Sequence, residues 1–239
     1  MNILAISLIT FAILQISALC TTVYLHRSVT HRALELHPVI RFLMHLHLMV
    51  FTGVKPREWA AVHRKHHHFS DKEGDPHSPL VYGMWTVLFG NYFFYKKEAD
   101  NPAVVQKYTP DYKPDLIDHF PLAACGVFLG LGVFMLMFGW AWGLAAWITH
   151  IVTYVLVNAM INSLGHVVGY RNYENQATNL RWLAWISAGE GLHNNHHEYP
   201  TAARFSMRPF EFDPAWPFIR TLELLGLAKV RPEPLAKAA

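Results

Sequence analysis

Charge is what this chain has least of. Only 15% of its 239 residues are Asp, Glu, Lys or Arg, against roughly 25% in soluble domains. The formal net charge is +3 with histidines neutral, so no basic excess invites a polyanion, and nucleic acid is excluded as a partner. Cysteine is nearly absent. Cys20 and Cys125 lie in apolar stretches, without the spacing of a metal motif or a disulfide framework, and both are expected to be small buried residues. The chain has neither the His-Glu-x-x-His signature of zinc proteases nor the paired Glu-x-x-His motifs of soluble di-iron bundles. No unit repeats beyond a duplicated His-x-x-His-His pattern.

What is present is apolar surface, 52% of the residues, arranged in runs. Residues 1–25 and 121–165 contain no charged side chain. About 20 apolar residues cross a bilayer as a helix, so the first run predicts one span over residues 3–25. It has no positive leader region, and an uncleaved helix is expected rather than a signal peptide. The second run is long enough for a hairpin, with spans over 121–140 and 143–165 and a turn near Gly139-Trp-Ala-Trp-Gly143. Residues 39–54 are apolar but short and carry Arg41, His45 and His47; they fit a segment that dips into the bilayer and returns. Trp85 to Tyr95 reads as an aromatic helix at headgroup level. Residues 216–227 form an amphipathic piece, followed by a tail expected to fray. The fold class is therefore mainly α: a single integral membrane domain with three spans and a cap of residues 26–120 and 166–239. Every Lys and Arg then lies on the cap side, which the positive-inside rule makes cytoplasmic.

The other abundance is histidine, 16 residues, and nine of them fall into four clusters. Two clusters repeat one spacing: His63, His66 and His67, then His193, His196 and His197. On a helix, positions i+3 and i+4 point about 100° apart on either side of i, so each triplet can serve two neighbouring metal ions. His26 with His31, and Asn162 with His166, supply the rest. All four clusters fall on the cap side only if residues 39–54 do not cross. Imidazole suits iron, copper and zinc alike. Nine ligands are too many for one zinc, whereas two metals with four or five nitrogens each match the count. Asn162, one turn before His166, can hold a metal-bound water. Asp71, Asp75, Glu190 and Glu198 are placed to orient imidazoles through their second nitrogen, although Asp71 and Glu73 also read as solvated loop charges. His68 is a neighbour of the second cluster, and His37, His45, His47 and His119 read as interface residues. The alternative from another class is a non-catalytic membrane metal carrier.

The clusters resemble the histidine boxes of the membrane fatty-acyl desaturases, most closely the Δ9 acyl-CoA (stearoyl-CoA) group. The matching pieces are His26-Arg-x-x-Thr-His31, Glu58-Trp-Ala-x-x-His63-Arg-x-His66-His67-x-Phe-Ser70, Asp75-Pro-His77, Asn162-Ser-x-x-His166-x-x-Gly-Tyr-Arg171 and Gly189-Glu-Gly-x-His193-Asn-x-His196-His197. Their order agrees over roughly residues 20–200, and the ordered set is far more specific than any one box. The resemblance implies two iron ions held by His26, His31, His63, His66, His67, His166, His193, His196 and His197, with Asn162 contributing through water. It also implies a reaction in which O₂ and two electrons remove hydrogens from two neighbouring methylenes, leaving a cis double bond, at Δ9, and two waters. The electrons are expected from a separate donor, of ferredoxin or cytochrome b5 type with its reductase. A hydroxylase or ketolase of the same histidine-box type is the rival in chemistry. The chain departs from the acyl-CoA enzymes in three ways. It has three expected spans where the similar animal enzymes have four. Ala61-Val62 replaces an Arg-Asp pair, and Leu80-Val81 replaces basic residues that help hold the CoA phosphates. Losing such contacts removes charge-assisted bonds, so long-chain acyl-CoA, acyl-lipid and other thioester carriers all stay open.

Overall fold

The computed structural model describes residues 2–119 and 125–232. Helix α1 (Ile3–Cys20) starts where the Asn2 side chain accepts the Ala5 N–H at 2.9 Å, a standard N-cap. Without a break it widens into a π-helical segment, Thr21–Thr30. Together they make 28 apolar-rich residues, long enough to cross a membrane. The strand β1 (Leu34–Leu36) follows, then α2 (Pro38–Phe51) and α3 (Pro56–Phe69). Next come α4 (Pro79–Tyr82), α5 (Met84–Ala99) and α6 (Pro102–Tyr108). Proline opens four of these helices, where its missing N–H costs nothing, and Ser78 and Asn101 cap two of them.

The second half begins with α7 (Gly126–Phe138) and α8 (Trp140–Ser163), which a 3₁₀ turn extends to His166. The whole of Trp140–His166 is also long and apolar enough to cross. Gly139, at φ +80°, makes the turn between α7 and α8 by itself, a conformation that suits glycine. The turn is therefore one residue rather than the five-residue Gly139–Gly143 stretch, and α8 starts at 140 instead of 143. Residues 121–124 of the expected second span lie outside the described residues, as does the tail from 233; the start of that tail, expected to fray after 227, instead forms a strand at Ala228–Val230. The last elements are α9 (Arg181–Ile186), α10 (His193–Glu198), α11 (Ala215–Leu224) and β2 (Ala228–Val230). The strand β2 pairs antiparallel with β1, Leu34 opposite Val230. That small sheet ties the chain's end to the segment just after His31.

α2 runs inward. Near its start Arg41 donates to the Lys113 carbonyl and His45 meets Asp115 at 2.9 Å. Farther along, His47 lies 2.9 Å from Ser17 of α1, and the Phe51 carbonyl bonds His150 of α8. The chain then turns at Thr52–Lys55 and α3 climbs back to the histidines. α2 packs so tightly on α7 that a Cβ on Gly130 would collide with the Val50 carbonyl. The main core sits under the π-helical segment that continues α1, where Val23, Tyr24 and Leu25 meet Leu34, Leu48, Ala203 and Ile219. Cys20 is buried there, whereas Cys125, expected to be buried, is exposed.

Candidate metal centre

Nine imidazoles converge on two adjacent points. His26, His31, His63, His67 and His196 form one group, and His66, His166, His193 and His197 form the other. Within each group one ring nitrogen per residue lies within 4.8 Å of all the others. The two triplets divide in the same way. In each, the i and i+4 residues stay together, His63 with His67 and His193 with His197, while the i+3 residue, His66 or His196, crosses to the other group. His26 and His31 are five apart, which on an α-helix leaves side chains about 140° from one another. The π-helical widening, with the His31 N–H bonded to the His26 carbonyl at 3.0 Å, sets them in one group; such bulges recur at functional sites.

The groups fit a metal better than they fit hydrogen bonds. The Nε2 atoms of His26 and His196 are 3.0 Å apart, those of His196 and His67 2.9 Å, of His67 and His63 3.0 Å, and of His63 and His31 3.1 Å. In the other group His66 and His197 are 3.3 Å apart, with His197–His193 and His193–His166 both at 3.1 Å. A neutral ring nitrogen has either one proton or one lone pair. Several of these atoms face two neighbours, which hydrogen bonding alone cannot satisfy but a central cation does. Carboxylates reinforce the point from behind. His66 Nδ1 lies 3.0 Å from both Asp75 oxygens, and His166 Nδ1 2.7 Å from Asp71 Oδ2. These contacts place the ring proton on Nδ1 and leave Nε2 as a bare donor, the arrangement of metal-binding histidines. Glu190 Oε2 comes within 2.6 Å of His26 Nδ1, off the axis of the ring N–H, while its Oε1 accepts from the Thr22 hydroxyl.

Electrostatics point the same way. Burial holds His31, His63, His67, His193, His196 and His197 well below the usual imidazole range, and neighbouring imidazoles push in the same direction. Neutral imidazole is the ligating form. Burial alone would raise the carboxylates, but His66 beside Asp75, His166 beside Asp71 and His26 beside Glu190 more than offset it and hold all three low.

Other residues named from the sequence fall in less central places. The Asp71 side chain is buried, while Glu73 is exposed. Glu198 is exposed and meets Asn175 at 3.4 Å, away from the imidazoles. His68 is exposed and outside both groups. Asn162 also lies outside both; its amide donates to Asn91 Oδ1 at 3.1 Å, and both line a cavity of about 290 Å³. His63 and His193, one from each group, face that cavity together with Glu190, Trp59 and an apolar stripe of α8, Ile151, Val155 and Ile161.

Several supporting residues had no role assigned from the sequence, although some of them fall inside the matching pieces. Trp59 stacks on His63, rings 4.9 Å apart at 8°. His77 stacks on His66 at 4.7 Å, and neither of its nitrogens has a hydrogen-bond partner among the described residues. Glu211 accepts from Asn195, Asn172 and Tyr170 at 2.7–2.8 Å, and Asn194 and Asn195 both bond Asn179. This network clamps α10. Arg27, fully buried, forms a two-pronged pair with Asp213 at 2.8 and 3.0 Å and lies 3.7 Å over the Phe205 ring. Arg27, Trp59, His77, Tyr170 and Asn194 lie inside the matching pieces, which was the visible hint; Glu211 and Asp213 lie outside them.

Comparison with known proteins identifies the family. The model of the fatty acid desaturase family matches residues 2–222. The chain belongs to that family. It is an oxidoreductase acting on fatty acyl chains, with helices that associate it with the membrane. Delta-9 acyl-lipid desaturase 2 of Arabidopsis thaliana is 32% identical over 92% of this chain and 72% of its own length. The sn-1 stearoyl-lipid 9-desaturase of Anabaena variabilis is also 32% identical, over 87% of this chain and 76% of its own. The acyl-CoA C20 Delta5-desaturase of Anemone leveillei is 32% identical over 87% and 67% respectively.

Proposed function

We propose that this chain is a di-iron Δ9 desaturase that acts on a saturated acyl chain carried by a membrane lipid. The observation that supports it most is the pair of imidazole groups, five and four strong, flanking one apolar-walled cavity. Their nine histidines would hold the two irons, and Asn162 would reach the metals through water. When bound, the iron pair supplies O₂ activation and the removal of two hydrogens from neighbouring methylenes. The protein's own part is to orient and to exclude. Asp71, Asp75 and Glu190 fix the imidazoles, and burial keeps water from them. The stripe of α8 presents the acyl chain to the metals from one side. The two electrons come from a separate ferredoxin- or cytochrome b5-type donor, and α1, α7 and α8 span the bilayer with the metals on the cytoplasmic side.

A lipid carrier is favoured over CoA by what stands where the acyl-CoA enzymes place charge. Ala61 and Val62 are 0% and 1% exposed, so no phosphate reaches them. Leu80 and Val81 are exposed but apolar. The names of two of the relatives above, both lipid desaturases, agree.

The test is lipid analysis of a desaturase-deficient host expressing the full chain, with phospholipid and CoA pools separated early after induction. A cis-Δ9 monoene appearing first in phospholipid is expected. First appearance in CoA overturns the carrier, and an oxygenated chain in place of an alkene overturns the reaction. His196→Ala should abolish the product while the protein stays in the membrane; retained activity sinks the ligand set.

A further inference from the structure

The segment leading into the third histidine box leaves large aromatic side chains exposed on the protein surface. On α9, Trp182 and Trp185 are 51% and 60% exposed, and on the loop before α11, Phe210 and Phe212 are 55% and 44% exposed. They make one patch. Trp185 and Phe212 rings are 4.7 Å apart, and the Arg181 guanidinium reaches over Phe210 at 6.0 Å. Val167 and Val168, just beyond His166, are also exposed. The opposite face of α9 is buried: Leu183 packs with Val157 and Ile161 of α8.

Its depth follows from one contact. The Ile186 carbonyl accepts a hydrogen bond at 3.5 Å from Gln15, in the middle of α1 and eleven residues before His26. A helix end in contact with lipid must have its carbonyls satisfied by protein, and here a side chain of the candidate span does it. Tryptophan rings favour the membrane–water boundary. A long basic side chain such as Arg181 can reach from there toward headgroups.

We propose that α9 and the Phe210–Phe212 loop sit in the lipid leaflet on the metal-centre side, with the bilayer as the partner of this patch. Ser187 to Gly189 joins α9 directly to Glu190 and His193. The leaflet thereby holds the third histidine box at a fixed height beside α1 and α8. The inference rests on reading those two helices as spans, independently of the reaction.

The experiment places nitroxide labels at Trp182→Cys, Trp185→Cys and Phe212→Cys, one at a time so that the other aromatics remain. The background is a full chain with Cys20 and Cys125 replaced, in vesicles of phosphatidylcholine and phosphatidylglycerol. Val152→Cys on the exposed face of α8 and Glu73→Cys in the exposed loop serve as references. Collision with O₂ relative to a water-soluble nickel chelate should match Val152 and exceed Glu73 several-fold. Labels behaving like Glu73 while Val152 stays shielded overturn the inference alone. A nickel-accessible Val152 overturns the spans and the inference with them. Spectral broadening that disappears on dilution with unlabelled chain identifies a second copy as the partner, and overturns it too.

Discussion

On the proposed ligand set, Asp75 would govern a metal that it does not touch. Both its oxygens lie 3.0 Å from His66 Nδ1, and His66 crosses from the second box to the group built around His166, His193 and His197. Removing such a partner typically weakens metal binding about 10–100-fold. Asp75→Ala should therefore lose iron to a chelator at correspondingly lower concentration, with its helical circular dichroism unchanged. Equal retention would show that His66 is positioned without it. Asp213 is the structural counterpart. It neutralises Arg27 with both side chains at 0% exposure, and breaking a buried pair on one side costs about 3–5 kcal/mol. Asp213→Ala should unfold in denaturant at clearly lower concentration, and the pair Arg27→Met with Asp213→Leu should recover most of that loss. An unshifted midpoint for Asp213→Ala would remove the pair from the account. The nine imidazoles could be picked out from spacing and order because each box is local in sequence. Asp213 and Glu211 could not, because their partners lie 186 and 16 residues away and nothing near them announces the contact.

Among the elements, charge-free runs made the long helices readable, since few other structures tolerate such runs. Their ends were less so. The single-residue turn at Gly139 and the widening at Thr21–Thr30 depend on packing and on tertiary hydrogen bonds, which composition does not carry. The β1–β2 pair was missed for the same reason: three residues per strand hold no alternation to read. The inward course of α2, expected from the need to keep the histidine clusters on one side, is accompanied by a close backbone approach at Gly130. Gly130→Leu should force α2 and α7 apart and lower the thermal midpoint in detergent. A midpoint unchanged from the parent chain would mean that the approach is not tight.

For the whole molecule, the metal groups and the cavity share their walls. Tyr154 lines that cavity and its hydroxyl meets Thr21 at 2.8 Å, a bulky side chain that would limit the room for an acyl chain seated there. Tyr154→Ala should shift products toward longer chains in the fatty-acid profile of the expressing host; an unchanged profile would take Tyr154 out of chain selection. The partition of ligands between two metals is the claim on which the rest depends. It is tested most directly by elemental analysis of the purified full chain beside His63→Ala and His193→Ala, one from each group. The account predicts two irons per parent chain and a loss of iron in each variant. A single metal per chain, or zinc in place of iron, would contradict it.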